Sequence, residues 1–382
     1  MAKRLVIVGG GHAHMTVLLR LAEFTGKGYR VTVISPDAHH YYSGMGPGML
    51  SGIYRPRQVR FHVRKMAEER GATFLEDTAV RIDPAGKTIL LASGQGVPYD
   101  VASFNTGSGI PLDSFAAASK RVIPVKPIIN LHVARRLILR EIEGRDLRIT
   151  VVGGGAAGVE VAANAWRLVQ ARRRGAEITL LGGSRVLGRF PDEVRNRALR
   201  SLEKRGIRVL EGAGVRARRV EEASILLSDG SVVPHDFAFL AVGVRPSPIF
   251  AVSGLPTWND GGMLVDSFLR CTEHPDIFGG GDCISLSGNP LAKVGVYAVR
   301  QNPILFHNLM AALEGGDLVP FNPGGAYLLI LNMGDGTGIF WKNEFVWGGR
   351  LVFLLKDYID RRFMRKFQVS GELSEPDGDR SL

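Results

Sequence analysis

Leu147-Arg148-Ile149-Thr150-Val151-Val152 runs into Gly153-Gly154-Gly155-Ala156-Ala157-Gly158-Val159-Glu160, and this stretch decides the fold. A short apolar run of this kind reads as a buried strand, and Val159 to about Arg173 reads as a helix. The turn between them spells G-x-G-x-x-G through Gly153, Gly155 and Gly158. The first glycine permits the turn, the second lets a pyrophosphate approach the backbone, and the third lets helix pack on strand. Phosphate then rests on the unpaired N–H groups of the helix N-terminus.

The same plan occurs earlier. Arg4-Leu5-Val6-Ile7-Val8 enters Gly9-Gly10-Gly11, followed by a helical stretch from about His12 to Phe24 and a β-branched run from Tyr29 to Ile34. His14 stands where the third glycine belongs, so close helix packing must accommodate a ring. Both copies continue through short alternating strands and close on an apolar strand, Val101 to Phe104 before Thr106-Gly107 and His235 to Leu240 before Ala241-Val242-Gly243. Two copies of one plan imply two nucleotide sites. From about Arg245 the chain turns back toward the first unit: Asp276-Ile277-Phe278 leads into Gly279-Gly280-Gly281-Asp282, and a helix follows over about Val296 to Glu314.

These features set the expected organisation as α/β. Two Rossmann-like domains are expected, the second inserted in the first: residues 1–110 with 245–325 for the first and 111–244 for the second. A C-terminal α/β appendage, 326–369, should end in an amphipathic helix that binds a membrane or a second copy, and 370–382 should be a disordered polar tail. If 347–367 is helical, Val352, Leu355, Ile359, Phe363 and Phe367 form one apolar stripe amid basic residues.

Composition removes other classes. The net charge is +11, yet zinc-finger spacing, an RNP-like motif and a helix-turn-helix are missing, so no nucleic-acid partner is expected. No apolar run reaches the length of a membrane span. Cys271 and Cys283 form no CxxC, and the N-terminus enters a strand without a signal pattern, which reads as cytoplasmic. The neighbouring histidines His12 with His14 and His39 with His40 lack metal-site spacing, so no metal is expected.

Four motifs in order, the two glycine turns, Thr106-Gly107 and Gly281-Asp282, resemble the pyridine nucleotide–disulfide oxidoreductase superfamily. That resemblance implies FAD in the first unit and NADH or NADPH in the second. The redox cysteine pair of the disulfide reductases is absent from Tyr41 to Leu50. Gly-Gly-Gly-His-Ala-His, Ser35-Pro36-Asp37, Tyr42 to Gly48 and Lys356 to Met364 look like the type II NADH dehydrogenase branch, especially a subgroup associated with selenide, water dikinase. The implied reaction takes hydride from the nicotinamide and passes electrons to an acceptor, most plausibly a quinone. The alternatives are a soluble reductase of a protein or sulfur/selenium acceptor and a non-enzymatic redox sensor.

Residue roles follow by position. Pro47 would lie beside the isoalloxazine, and Glu160 between nicotinamide and flavin. Lys126 and Lys293 would balance charge on a reduced flavin. Arg300 and Gln301 fall where relatives carry a paired Gln at the quinone mouth, a departure at Arg300. FAD contacts would come from Gly9, Gly10, Gly11, Ser35, the displaced acid Asp37, Thr106, Gly107, Gly281 and Asp282. The second nucleotide would meet Gly153, Gly155, Gly158, Gly182, Arg185 and Gly243. Gly182 stands where an NAD site usually offers an acid, and Arg185 could hold a 2′-phosphate, leaving NADH and NADPH evenly placed.

Overall fold

A computed structural model describes residues 2–112, 119–170, 172 and 175–377. The expected end of the second-unit helix at Arg173 lies outside them; the described helix is Ala156–Gln170.

Each glycine turn feeds a five-stranded parallel sheet. The first has the order Ile277–Gly279, Val101–Phe104, Arg4–Val8, Arg30–Ser35, Thr73–Glu76. Its edge strand Ile277–Gly279 comes from far downstream, as the Gly281-Asp282 motif requires. The second has the order Val122–Pro124, Phe237–Leu240, Leu147–Val152, Ala176–Leu181, Arg208–Leu210. These strands are nearly uniform apolar runs because parallel sheets are covered on both faces; Leu5, Ile7, Ile149, Val151 and Phe239 are fully buried. Three-stranded antiparallel meanders follow in both units, over residues 79–98 and 217–234.

The appendage is an antiparallel sheet, Leu329–Asn332, Gly338–Lys342 and Phe345–Gly349, followed by the helix Arg350–Phe367. Trp347 therefore lies in a strand. Gly349, at φ 130°, ends that strand in a conformation that suits glycine. The expected stripe is displaced: the helix buries Val352, Lys356, Asp360, Met364 and Phe367, while Leu355 and Ile359 face outward at 38% and 39% exposure. Burying two charges on a helix is tolerable only because Lys356 Nζ meets Asp360 Oδ2 at 2.6 Å, one turn away. No helix among the described residues is long and apolar enough to cross a membrane.

The tail departs from its expected disorder over 370–377. Gln368 donates to the carbonyls of Arg57 and Arg60, each at 2.9 Å, and buried Glu372 accepts from the His62 amide at 3.1 Å. Glu375 then pairs with Lys65 at 2.7 Å and Arg60 at 3.0 Å. Polar residues hold this strap because they find charged partners on the first unit, which composition cannot reveal. Residues 378–382 lie outside the described part.

His39, His62 and Glu375 bring donor atoms within 4.8 Å of one another, a grouping suited to a metal ion. The donors are engaged otherwise. Glu375 carries two cationic partners, and His62 Nδ1 accepts the Lys65 amide at 3.3 Å as the cap of the helix Val63–Glu68. A His62 nitrogen that accepts there leaves its other nitrogen protonated, facing Glu375 at 3.3 Å. The cluster works as a clasp for the strap.

Candidate active site

At the first turn, Gly9 has φ 89°, and a Cβ on it would lie 2.3 Å from the Asn105 carbonyl oxygen. Gly11 is equally pressed: its Cβ would meet Asn105 Oδ1 at 2.7 Å. The loop after Val101–Phe104 thus lies directly on the turn. Gly281, at φ 75°, closes the same pocket, since its Cβ would come within 2.8 Å of Asn105 Oδ1. Gln301 Oε1 accepts the Gly281 amide at 2.7 Å, and Asn302 accepts the Thr16 amide at 2.5 Å. Buried polar atoms gather here without protein partners: His12 Nε2, His40 Nε2, Asn105 Nδ2 and Thr106 Oγ1. Unsatisfied buried groups are costly, and a polar ligand threaded along the turn relieves them. This donor set fits FAD, whose pyrophosphate the glycines could hold and whose hydroxyls Asp282 could bind.

Asp282 accepts Ser108 Oγ at 2.7 Å and Lys126 Nζ at 2.8 Å. Burial pushes its pKa up, but the Lys126 charge and these hydrogen bonds prevail and hold it below the ordinary carboxylate range. Lys126 comes from just beyond the edge strand of the second sheet, so one ion pair joins the two units at the site. Lys293 Nζ meets Ser285 Oγ at 3.0 Å and Asp260 Oδ2 at 2.9 Å, and the residue lines one cavity with Gly281, Asp282 and Gln301. Arg300 turns outward to the Gly325 carbonyl at 2.9 Å, whereas its neighbour Gln301 is buried against Gly281. Ser35 is buried at the strand end, and Asp37 Oδ1 accepts the His39 amide at 3.0 Å. Gly107, at φ 68°, has open space around it.

The second turn is built more tightly. Gly153, at φ 130°, would place a Cβ 2.3 Å from Ala241 O, and Gly154 one 2.4 Å from Gly182 O. Gly158 would place one 1.8 Å from Gly153 O, so no side chain fits there. Gly155 and Gly243 meet nothing within 4 Å. The open face at Gly155 is where a pyrophosphate can reach the backbone.

Glu160 sits two residues further along the same helix, where three parts of the chain meet. Its Oε1 accepts the Asn332 amide at 2.7 Å. Asn164, one turn on, donates to the Glu160 carbonyl at 2.8 Å and accepts Ser51 Oγ at 2.8 Å. Ser51 ends the buried helix Gly46–Ser51, whose first turn carries Pro47. Nearby, Lys356 Nζ donates to Asp360 and to the Gly44 carbonyl at 2.7 Å, and the Tyr42 hydroxyl donates to Asp360 Oδ1 at 3.1 Å. Burial raises the Glu160 pKa to about 7, against the pull of the Lys356 charge. Burial works to lower the Lys356 pKa, but the charges of Asp360 and Glu160 overcome it and keep the ammonium protonated.

Sequence reasoning missed Lys356, Asp360, Tyr42, Asn164 and Ser108. The i, i+4 spacing of Lys356 and Asp360 is a signal for a pair, although that spacing is common on solvated faces. Cys271 and Cys283 are buried and free, apart from the redox chemistry of a cysteine pair.

Two glycine turns, each between a parallel strand and a helical segment, with a buried carboxyl on the second helix, define a two-nucleotide flavoprotein oxidoreductase. Residues 3–307 match the family described as pyridine nucleotide-disulphide oxidoreductase, and the chain belongs to that family. It is an oxidoreductase that uses FAD and NAD(P)H. Ferroptosis suppressor protein 1 of Taeniopygia guttata is 26% identical over 364 residues, 92% of each chain. Alternative NAD(P)H-ubiquinone oxidoreductase C1 of Arabidopsis thaliana is 26% identical over 361 residues, 83% of this chain and 69% of that one. The solved structure of NDH2 from Plasmodium falciparum in complex with NADH superposes with a TM-score of 0.77 at 15% identity, covering 99% of this chain and 100% of that one, a likeness of fold.

Proposed function

We propose that the chain oxidises NAD(P)H in its second unit and delivers the electrons to a quinone at the junction of both units with the C-terminal appendage. The observation that carries this reading is Glu160, a buried carboxyl with a pKa of about 7 beside the Tyr42–Asp360–Lys356 group. Bound FAD supplies a hydride acceptor at N5 and a store for two electrons. The residues supply the rest. The glycine turns fix the two nucleotides so that nicotinamide and flavin rings can meet, which removes an orientational barrier. Pro47, in the buried helix Gly46–Ser51, and the Lys126–Asp282 ion pair would hold the flavin side of that meeting point. Quinone reduction consumes two protons with two electrons, and Glu160, poised near neutrality, holds one of them close by. The relatives named for ubiquinone reduction support this acceptor, and the relatives named as ferredoxin reductases favour a protein acceptor as the second reading.

The test is anaerobic mixing with NADH or NADPH, followed by quinone. Glu160→Gln should leave flavin bleaching within a few-fold of the parent and slow quinone-driven reoxidation by about a hundredfold. The parent's reoxidation rate should fall as pH rises through about 7, because the proton-holding form of Glu160 is lost; the variant should lack that break. Equal reoxidation rates in both proteins at every pH would sink the proposal.

We also infer peripheral attachment to the cytoplasmic face of a membrane. The outward side of the C-terminal helix and the strand before it exposes Phe345, Trp347, Leu351, Leu354 and Tyr358 by 54–75%. Arg350, Arg362, Arg365 and Lys366 lie in the same helix. An apolar face this size with basic neighbours suits an anionic bilayer interface. Flotation with anionic vesicles should carry the parent, and Leu351→Ser/Leu354→Ser should stay behind. A parent protein that ignores vesicles and elutes as a dimer would assign the face to a second copy instead.

A further inference from the structure

Segment 57–65 lies against the first glycine turn. Val63, which opens the helix Val63–Glu68, is the point of contact: a Cβ on Gly10 would come within 2.5 Å of its Cγ2. The residues before it form only a short strand, Arg60–Phe61, paired with His40–Tyr41 in a two-stranded ladder. A ladder this small is marginal on its own, so the seat of Val63 on the turn depends on what holds the segment from outside.

The C-terminal part of the chain holds it twice. At the end of the helix Arg350–Phe367, Phe363 and Phe367 set their rings 6.0 and 6.3 Å from that of Phe61. Phe363 also stacks on His12 of the turn at 5.9 Å. Beyond the helix, the strap binds the same segment through its backbone, with Gln368 on the Arg57 and Arg60 carbonyls and Glu372 on the His62 amide. The Arg60 guanidinium, 4% exposed, bonds Glu375 at 3.0 Å and donates to the Pro376 carbonyl at 2.8 Å. A charge buried this deeply requires its partner. Glu375 also meets His39 Nε2 at 3.2 Å, and Asp37 accepts the His39 amide. Burial works to raise the Glu375 pKa, but hydrogen bonds from Lys65 and His39 and the charges beside it hold it at about 2. The strap thus ties together both loops at this end of the cradle, 37–40 and 57–65.

We propose that the strap, residues 368–377, is the latch of the flavin cradle: by keeping segment 57–65 on the first glycine turn it sets how slowly FAD leaves. FAD exchange then proceeds through local release of the strap while the two sheets stay folded. This rests on the first unit being the one that takes FAD.

The experiment follows the rise of free-flavin fluorescence after dilution of the FAD-loaded protein, well below its melting temperature. Glu375→Ala should speed FAD release about tenfold or more, because it leaves Arg60 buried and unpaired. Glu375→Gln keeps an acceptor oxygen and the fold, and should speed release by about a few-fold. Leu202→Ala cuts the fully buried core of the second unit and should lower the melting temperature with FAD release unchanged. Release at the parent's rate from both Glu375 variants, or equal acceleration by Leu202→Ala, would overturn the latch alone. A colourless parent that takes up no FAD would overturn the assignment of the first cradle and the latch with it.

Discussion

The two glycine turns share their first three glycines and part most consequentially at their sixth residue. In the second, Gly158 lies so close to the Gly153 carbonyl that a Cβ would be 1.8 Å from it, and the helix runs unbroken over Ala156–Gln170. In the first, His14 is fully buried, with Nδ1 2.7 Å from the Gly9 carbonyl and Nε2 2.8 Å from Ser103 Oγ. The carbonyl can only accept, so Nδ1 carries the proton and Nε2 accepts the serine hydroxyl. The helix yields in return: it opens as a 3₁₀ turn over His12–His14 and is interrupted at Arg20, between Met15–Leu19 and Leu21–Gly26. A ring that bonds the carbonyl thus replaces a glycine that merely avoids it. The exchange costs regular helix and gains two buried hydrogen bonds.

Making the second turn resemble the first should do the most damage. Gly158→His has no room, because Gly153 and Gly154 are themselves pressed on Ala241 O and Gly182 O. A loss of at least about 4 kcal/mol is expected, with NAD(P)H binding abolished, readable by thermal denaturation and by failure to bleach the flavin. The reverse change, His14→Gly, removes two buried hydrogen bonds and leaves a cavity, for about 3 kcal/mol. FAD should then be lost on dilution, and a protein that keeps its flavin and melting temperature would break the comparison.

Acid should separate the turns further. Burial lowers the pKa of both His12 and His14 to about 4, and the carbonyl of Gly9 only partly offsets this at His14. An unfolded chain protonates them near 6.5. Their contribution is therefore complete above about pH 6.5 and is lost as pH falls toward 4, at about 1.4 kcal/mol per unit for each ring. FAD release and unfolding should share that window. The second turn, Gly153 to Gly158, carries no titratable side chain, so affinity for ADP-ribose, which lacks the nicotinamide that would meet Glu160, should stay flat while the flavin remains bound. The mildest change is Gly155→Ala. Its Cβ enters open space, so stability should move by less than about 0.5 kcal/mol while NAD(P)H affinity drops about tenfold.

What could be seen in the sequence is what backbone sterics control. The glycine turns, their strands and Gly281-Asp282 are local patterns, and a phosphate cradle leaves few alternatives. What could not be seen depends on long-range pairing. Lys356 and Asp360 are buried only because each neutralises the other and Tyr42 arrives from more than three hundred residues away. A hydrophobic pattern places such residues outside, which shifted the expected stripe onto Leu355 and Ile359. The strap at 370–377 escaped for the same reason: Glu375 is polar in composition and bound only in context. Lys293 and Lys126 look equivalent in sequence, and only the fold separates the partner of Asp260 from the partner of Asp282.

The most direct test of the two-cradle account is anaerobic rapid mixing of NADPH with parent and Gly155→Ala proteins matched for flavin content. The account predicts that both purify yellow with stoichiometric FAD, and that the variant needs about tenfold more NADPH for the same bleaching rate. Colourless protein that takes up no FAD, or a variant with the parent's NADPH dependence, would contradict it.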